Sequence, residues 1–125
     1  MIIKTGDLFD LNMRVVSTRA WRLNVTPNLV EYWEGNQTKP FESGNGLNLN
    51  ILENEEGNPG ITITVLYKMD VTKADPDDWD KYQDRFFGVQ KVTFDQDSVS
   101  FRDGSGCRHI MFFDKIDSIH FTQEV

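Results

Sequence analysis

Between Lys91 and Arg102 apolar and polar side chains alternate on both arms of a turn: Val92, Phe94, Val99 and Phe101 against Lys91, Thr93, Ser98, Ser100 and Arg102, folded over Asp95-Gln96-Asp97. A period of two cannot be laid on a helix, and in a strand it places all four apolar residues on one face. The stretch therefore reads as a β-hairpin with one buried side. Asp103-Gly104-Ser105-Gly106 supplies a further turn, an apolar run follows from Ile110 to Phe113, and Asp114-Lys115 leads into a last strand carrying Ile116, Ile119 and Phe121. About four strands in about thirty residues set the class as mainly β.

A second hairpin can be superposed on the first without a gap. RLNVTPNLVEYWEGN, from Arg22 to Asn36, lies over KVTFDQDSVSFRDGS, from Lys91 to Ser105, matching Leu23 with Val92, Val25 with Phe94, Val30 with Val99, Tyr32 with Phe101 and Glu34 with Asp103. Two hairpins of equal turn length converge easily on such a pattern, and an internal duplication produces it too. Either origin fixes the register: Leu23, Val25, Val30 and Tyr32 face one side, and Arg22, Leu29, Glu31 and Trp33 the other, which makes Trp33 a candidate exposed tryptophan.

Elsewhere Ile2-Ile3 begins a short strand, and Arg14 to Val25 reads as one strand leading into the first hairpin. Asn36 to Asn45 is a polar loop with Pro40 and Gly44. Leu47, Leu49 and Ile51 alternate with asparagines, and the alternation resumes from Ile61 to Met69 after the acidic Glu53 to Gly60, so this region reads as one long hairpin. The β pattern breaks at Ala74-Asp75-Pro76-Asp77-Asp78-Trp79, where Asp75 suits an N-cap, Pro76 the first helical position, and Trp79, Tyr82 and Phe86 form one stripe. An amphipathic helix is expected over about 76–87, stopping at Gly88.

The architecture expected is an antiparallel sandwich or small barrel of about eight strands with that one helix, a single domain over residues 1–125. The late paired strands resemble pleckstrin-homology and related small barrels in architecture, although those end in a helix and this chain ends HFTQEV.

Composition narrows the chemistry. Thirteen Lys and Arg against twenty Asp and Glu give a formal charge of -7, which disfavours nucleic acid as a partner. The single cysteine, Cys107, excludes an intramolecular disulfide framework. The start lacks a signal-peptide pattern, and no run approaches the roughly 20 apolar residues of a membrane span, so a cytoplasmic location is expected. The four aspartates from Asp75 to Asp80 serve a helix start and lack calcium-loop spacing, and no glycine pattern forms a nucleotide loop, so neither a metal nor a cofactor is expected. His120-Phe121-Thr122 resembles half of the paired His-x-Thr signature of two-histidine phosphoesterases, whose other half is missing because Ile110-Met111 follows His109.

Three functions follow. The first is a non-enzymatic intracellular interaction module that binds another protein, a basic one being suited to the acidic surface, or associates with itself through an aromatic β face or an edge strand, with Trp33 as anchor. The second binds a small anionic ligand or nucleotide through an arginine stripe, Arg14, Arg19 and Arg22, flanked by Trp21 and Trp33. The third is an enzyme using His109, His120 and Cys107, the least favoured because spacing alone does not assemble nucleophile, base and orienting group.

Overall fold

The protein, described from a computed structural model for residues 1–5, 14–27, 29–40, 49–68, 82–95 and 97–125, is built from two antiparallel sheets stacked as a sandwich. Its strands are β1 (Ile2–Thr5), β2 (Arg14–Ser17), β3 (Ala20–Val25), β4 (Val30–Glu34), β5 (Gln37–Pro40), β6 (Leu49–Glu53), β7 (Ile61–Tyr67), β8 (Gln83–Val89), β9 (Lys91–Phe94), β10 (Ser98–Arg102), β11 (Arg108–Phe112) and β12 (Ile116–Gln123). Sheet A runs β11-β10-β9-β6-β1-β2 and sheet B runs β5-β4-β3-β12-β7-β8. The core lies between them. Ile3, Leu52, Val92 and Phe94 come from one sheet and Leu23, Ile63, Val65 and Phe121 from the other, all buried, and each such side chain contributes about 1.5–3 kcal/mol by leaving water. Phe94 meets Phe121 edge to face across the layers, ring centroids 5.5 Å apart.

The two halves of the chain follow the same itinerary. β1 and β2 lie in sheet A, β3 to β5 form a meander in sheet B, and β6 returns to sheet A; β7 and β8 lie in sheet B, β9 to β11 form a meander in sheet A, and β12 returns to sheet B. Moving every strand six places along the chain converts one sheet order into the other. The register follows: Leu23 opposite Tyr32 corresponds to Val92 opposite Phe101, Val25 opposite Val30 to Phe94 opposite Val99, and Asn24 opposite His120 to Thr93 opposite Ile51. Ile3 lies between Ser17 and Leu52 as Ile63 lies between Phe86 and Phe121. The superposed hairpins are thus equivalent parts of two six-strand units. Neither unit can bury its apolar faces alone, because each sheet takes three strands from each half.

The described residues hold twelve strands rather than about eight, and the differences have physical causes. Arg14 to Val25 is two strands, since the chain turns the corner between sheets at Thr18-Arg19. Leu49–Glu53 and Ile61–Tyr67 do not pair with each other: the segment between them crosses from sheet A to sheet B, where each strand finds a partner for its buried face. The loop expected from Asn36 begins as strand β5, because Gly35-Asn36, with Gly35 at φ 54°, closes a two-residue hairpin turn placing Glu34 opposite Gln37.

The expected helix over about 76–87 falls outside the described residues through Lys81, and its remainder is strand β8. There Phe86 faces inward opposite Ile63 and packs edge to face on Phe101, centroids 5.1 Å apart, while Gly88 at φ 68° accommodates a register irregularity against β7. Tertiary pairing overrode a stripe that a helix and a strand read equally well at Phe86.

Candidate functional site

The structure separates the arginines expected to form one stripe. Arg14 opens edge strand β2 of sheet A, Arg19 sits at the corner between sheets, and Arg22 belongs to β3 in sheet B. Only Arg22 meets a predicted aromatic partner, its guanidinium carbon 5.0 Å from the Trp33 ring centroid, and this cover leaves Trp33 half-buried rather than exposed. Trp21, at a bulge in β3, is the more exposed ring, and its indole N–H donates to the Gly35 carbonyl at 2.9 Å.

On the same outer face of sheet B, His120 Nδ1 lies 2.7 Å from Asn24 Oδ1, which also accepts from Arg22 Nε at 3.3 Å, and Ser118 Oγ lies 3.3 Å from His120 Nε2. An Nδ1–H tautomer satisfies all three contacts, with Ser118 donating to Nε2. Burial first, then the Arg22 charge, hold the imidazole below its ordinary value and so neutral. The cluster is internally satisfied.

Internal equivalence also explains the other histidine. Glu34 accepts from Lys39 Nζ at 2.9 Å and from the Ser17 hydroxyl, and its carboxyl is held below the usual range by those hydrogen bonds, Ser17's first. Its counterpart Asp103 accepts from Ser105 Oγ at 2.6 Å, from His109 Nε2 at 2.8 Å and from the Cys107 backbone N–H at 3.1 Å, hydrogen bonds that hold its carboxyl well below the carboxylate range, with Ser105's the strongest. His109 occupies the position equivalent to Lys39, opposite Phe101 as Lys39 is opposite Tyr32. The Asp103–His109 pair is therefore a staple of the hairpin end, found in both units with a different donor to the carboxylate. His109 is further packed by Phe86 at 4.4 Å and Phe101 at 5.4 Å between ring centroids. His120 stands on the outer face of sheet B, His109 on the edge strand of sheet A, and Cys107 is exposed in the turn, so the three do not share a site. Among the described residues no three His, Cys, Asp or Glu side chains are gathered as metal ligands.

The units differ most at their outermost strands. β5 closes one edge of sheet B with Thr38, Lys39 and Pro40, and a proline or lysine there discourages pairing with another chain. β11 occupies the equivalent edge of sheet A, where Arg108 replaces Thr38 and Ile110 replaces Pro40. Ile110 is 53% exposed and Phe112 55%. Hydrogen bonds from Asp103 N–H to the Cys107 carbonyl and from Phe113 N–H to the Asp97 carbonyl, each 3.0 Å, bracket the β10–β11 ladder. By the alternation of an antiparallel pair, Arg108, Ile110 and Phe112 turn their N–H and C=O groups away from β10 toward an edge that no other described strand pairs with. Beyond that edge a cleft of about 550 Å³ separates β11 from β8, lined by Tyr67, Asp84, Phe86, His109 and Met111.

Around the end of β11 the outer face of sheet A is basic. Arg102 lies directly opposite Arg108, and Lys91 stands one rung beyond the pair formed by Val92 and Phe101. Together they line a groove of about 620 Å³ floored by Thr93 and Ser100. None of the three cations has an ion-pair partner among the described residues: Glu53, opposite Lys91, pairs with Lys4 at 3.1 Å, and Asp103 is taken by its own turn. The equivalent row in sheet B is Arg22, Trp33 and Thr38, so the concentration of charge belongs to one unit only. The sequence signal for this site was an arginine on each side of the Asp103–Cys107 turn, legible only once the register was known. No protein-family model matches this chain, and no curated protein or solved structure shows similarity to it.

Proposed function

We propose that this protein is a non-enzymatic interaction module that receives an extended segment of a partner protein on the free edge of β11. The supporting observation is the contrast between two equivalent edges: β5 carries Pro40 where β11 carries an exposed Ile110, so one unit's edge is blocked and the other's is unpaired among the described strands. A strand added there would hydrogen-bond the outward groups of Arg108, Ile110 and Phe112 and close the gap toward β8.

Ile110→Pro tests it, transplanting the block that β5 already tolerates. Ile110→Lys serves if the proline variant misfolds. Native mass spectrometry of the protein purified from its own host should show a bound protein with the wild type and none with a folded variant. Equal occupancy of both would refute the assignment.

A second reading, a small anionic ligand in the groove of Lys91, Arg102 and Arg108, is favoured by their lack of an ion-pair partner among the described residues. It moves the expected anion site from the first hairpin to the second.

A further inference from the structure

We infer that the segment received by β11 is acidic: an extended peptide whose outward side chains are a carboxylate opposite Arg108 and apolar residues opposite Ile110 and Phe112. The inference rests on the reading of β11 as an open edge and adds the chemistry of what binds there. Like charges directly opposite on a sheet are destabilising, yet Arg102 faces Arg108 and neither has an ion-pair partner among the described residues. The fold does not demand this pair, because the equivalent positions hold Trp33 and Thr38. A strand hydrogen-bonded to β11 runs about 4.8 Å away, close enough for a glutamate on it to engage the Arg108 guanidinium with charge-assisted hydrogen bonds.

The alternation on β11 then sets the rest. Arg108, Ile110 and Phe112 share one exposed face, so the ligand reads carboxylate, any, apolar, any, apolar if it adds parallel, and the reverse if antiparallel. Its intervening side chains point into the cleft with Asp84, whose carboxylate accepts from the Tyr67 hydroxyl at 2.7 Å.

The test uses the full chain and two blocked, fluorescein-labelled peptides, Glu-Thr-Val-Thr-Val and Val-Thr-Val-Thr-Glu with serine flanks, each also made with lysine in place of glutamate. Fluorescence anisotropy at low salt should show a glutamate peptide binding at least about tenfold tighter than its lysine version, the gap narrowing at high salt. Arg108→Glu should reverse that preference, with Arg108→Gln, which only abolishes it, as the milder variant if the reversal perturbs folding. Ile110→Pro should remove binding of both peptides. If glutamate and lysine peptides bind equally and Ile110→Pro abolishes both, the acidic preference is wrong and the open edge stands. If peptide binding ignores Ile110→Pro, the edge itself is wrong. Inorganic phosphate that binds, is weakened by Arg102→Gln and is unaffected by Ile110→Pro, with no peptide bound, would assign the groove to a small anion and overturn both.

Discussion

Phe94 and Phe121 are an aromatic pair joining the two layers, one from β9 of sheet A and one from β12 of sheet B, with rings inclined at 63°. They are 1% and 0% exposed, so any truncation leaves its volume inside the core. Alanine at either site would cost about 3–5 kcal/mol, and both together would consume much of the roughly 5–15 kcal/mol that holds a domain folded. Leucine is the better perturbation. Each single change should cost about 1–2 kcal/mol, from lost packing partly refilled by the smaller branched side chain. The double variant should lose less than the sum by about 0.5–1.5 kcal/mol, because the edge-to-face contact is absent from both single variants and can be lost only once. Urea unfolding of the four proteins measures this, provided the denaturant dependence stays constant, since a changed slope means a changed unfolded or folded state. Additivity within about 0.3 kcal/mol would refute direct packing of one sheet on the other at these rings.

Other outcomes follow from the same contacts. Because His120 is held below 6.5 in the folded state, the unfolded chain takes up its proton first as pH falls, so stability is full above that value and declines below it. His120→Gln should flatten the decline between about pH 7 and pH 5, as measured by urea midpoints. A Cβ at Gly60 would lie 2.7 Å from the Gly88 Cα, whereas one at Gly35 meets nothing within 4 Å, so Gly35→Ala should cost only the left-handed backbone penalty of about 1–2 kcal/mol. Gly60→Ala should cost about 1–3 kcal/mol more through the backbone shift it forces, and equal thermal midpoints for the two would contradict the close approach of the chains. Finally, the amino terminus lies 3.9 Å from the Glu55 carboxylate and Gln123 donates to Asn54 at 2.6 Å, so both ends sit beside the segment joining the two units. A permuted chain beginning at Asn58, with Val125 joined to Met1 by a short glycine-serine linker, should fold with the same far-ultraviolet spectrum and a cooperative transition; a molten product would show that the units are not interchangeable in order.

Much was legible in the linear chain. Alternation at Val92, Phe94, Val99 and Phe101 named four buried residues, and the superposition of Arg22–Asn36 on Lys91–Ser105 gave the register of both hairpins. The arginines were read less well. Arg14, Arg19 and Arg22 are near in sequence, but a corner at Thr18-Arg19 sends them to different sheets, while Arg102 and Arg108, separated by a turn, became direct neighbours. The position of β11 at the end of the described strands of its sheet was not readable at all, since Ile110 alternating with half-buried neighbours looks the same whether its outer side is paired or free.

The sequence by itself determined which residues turn inward, because a two-residue period and one water-excluding face leave no other arrangement for Leu23, Val25, Phe94 or Phe101. Beyond those two hairpins, only the tertiary structure decided which strands become neighbours. Consecutive strands can pair or part at the same cost in local geometry, and at Glu53 and Ile61 they part: β6 completes its pairing with β1 and with β9 of the other half, and β7 with β8 and β12 of its own.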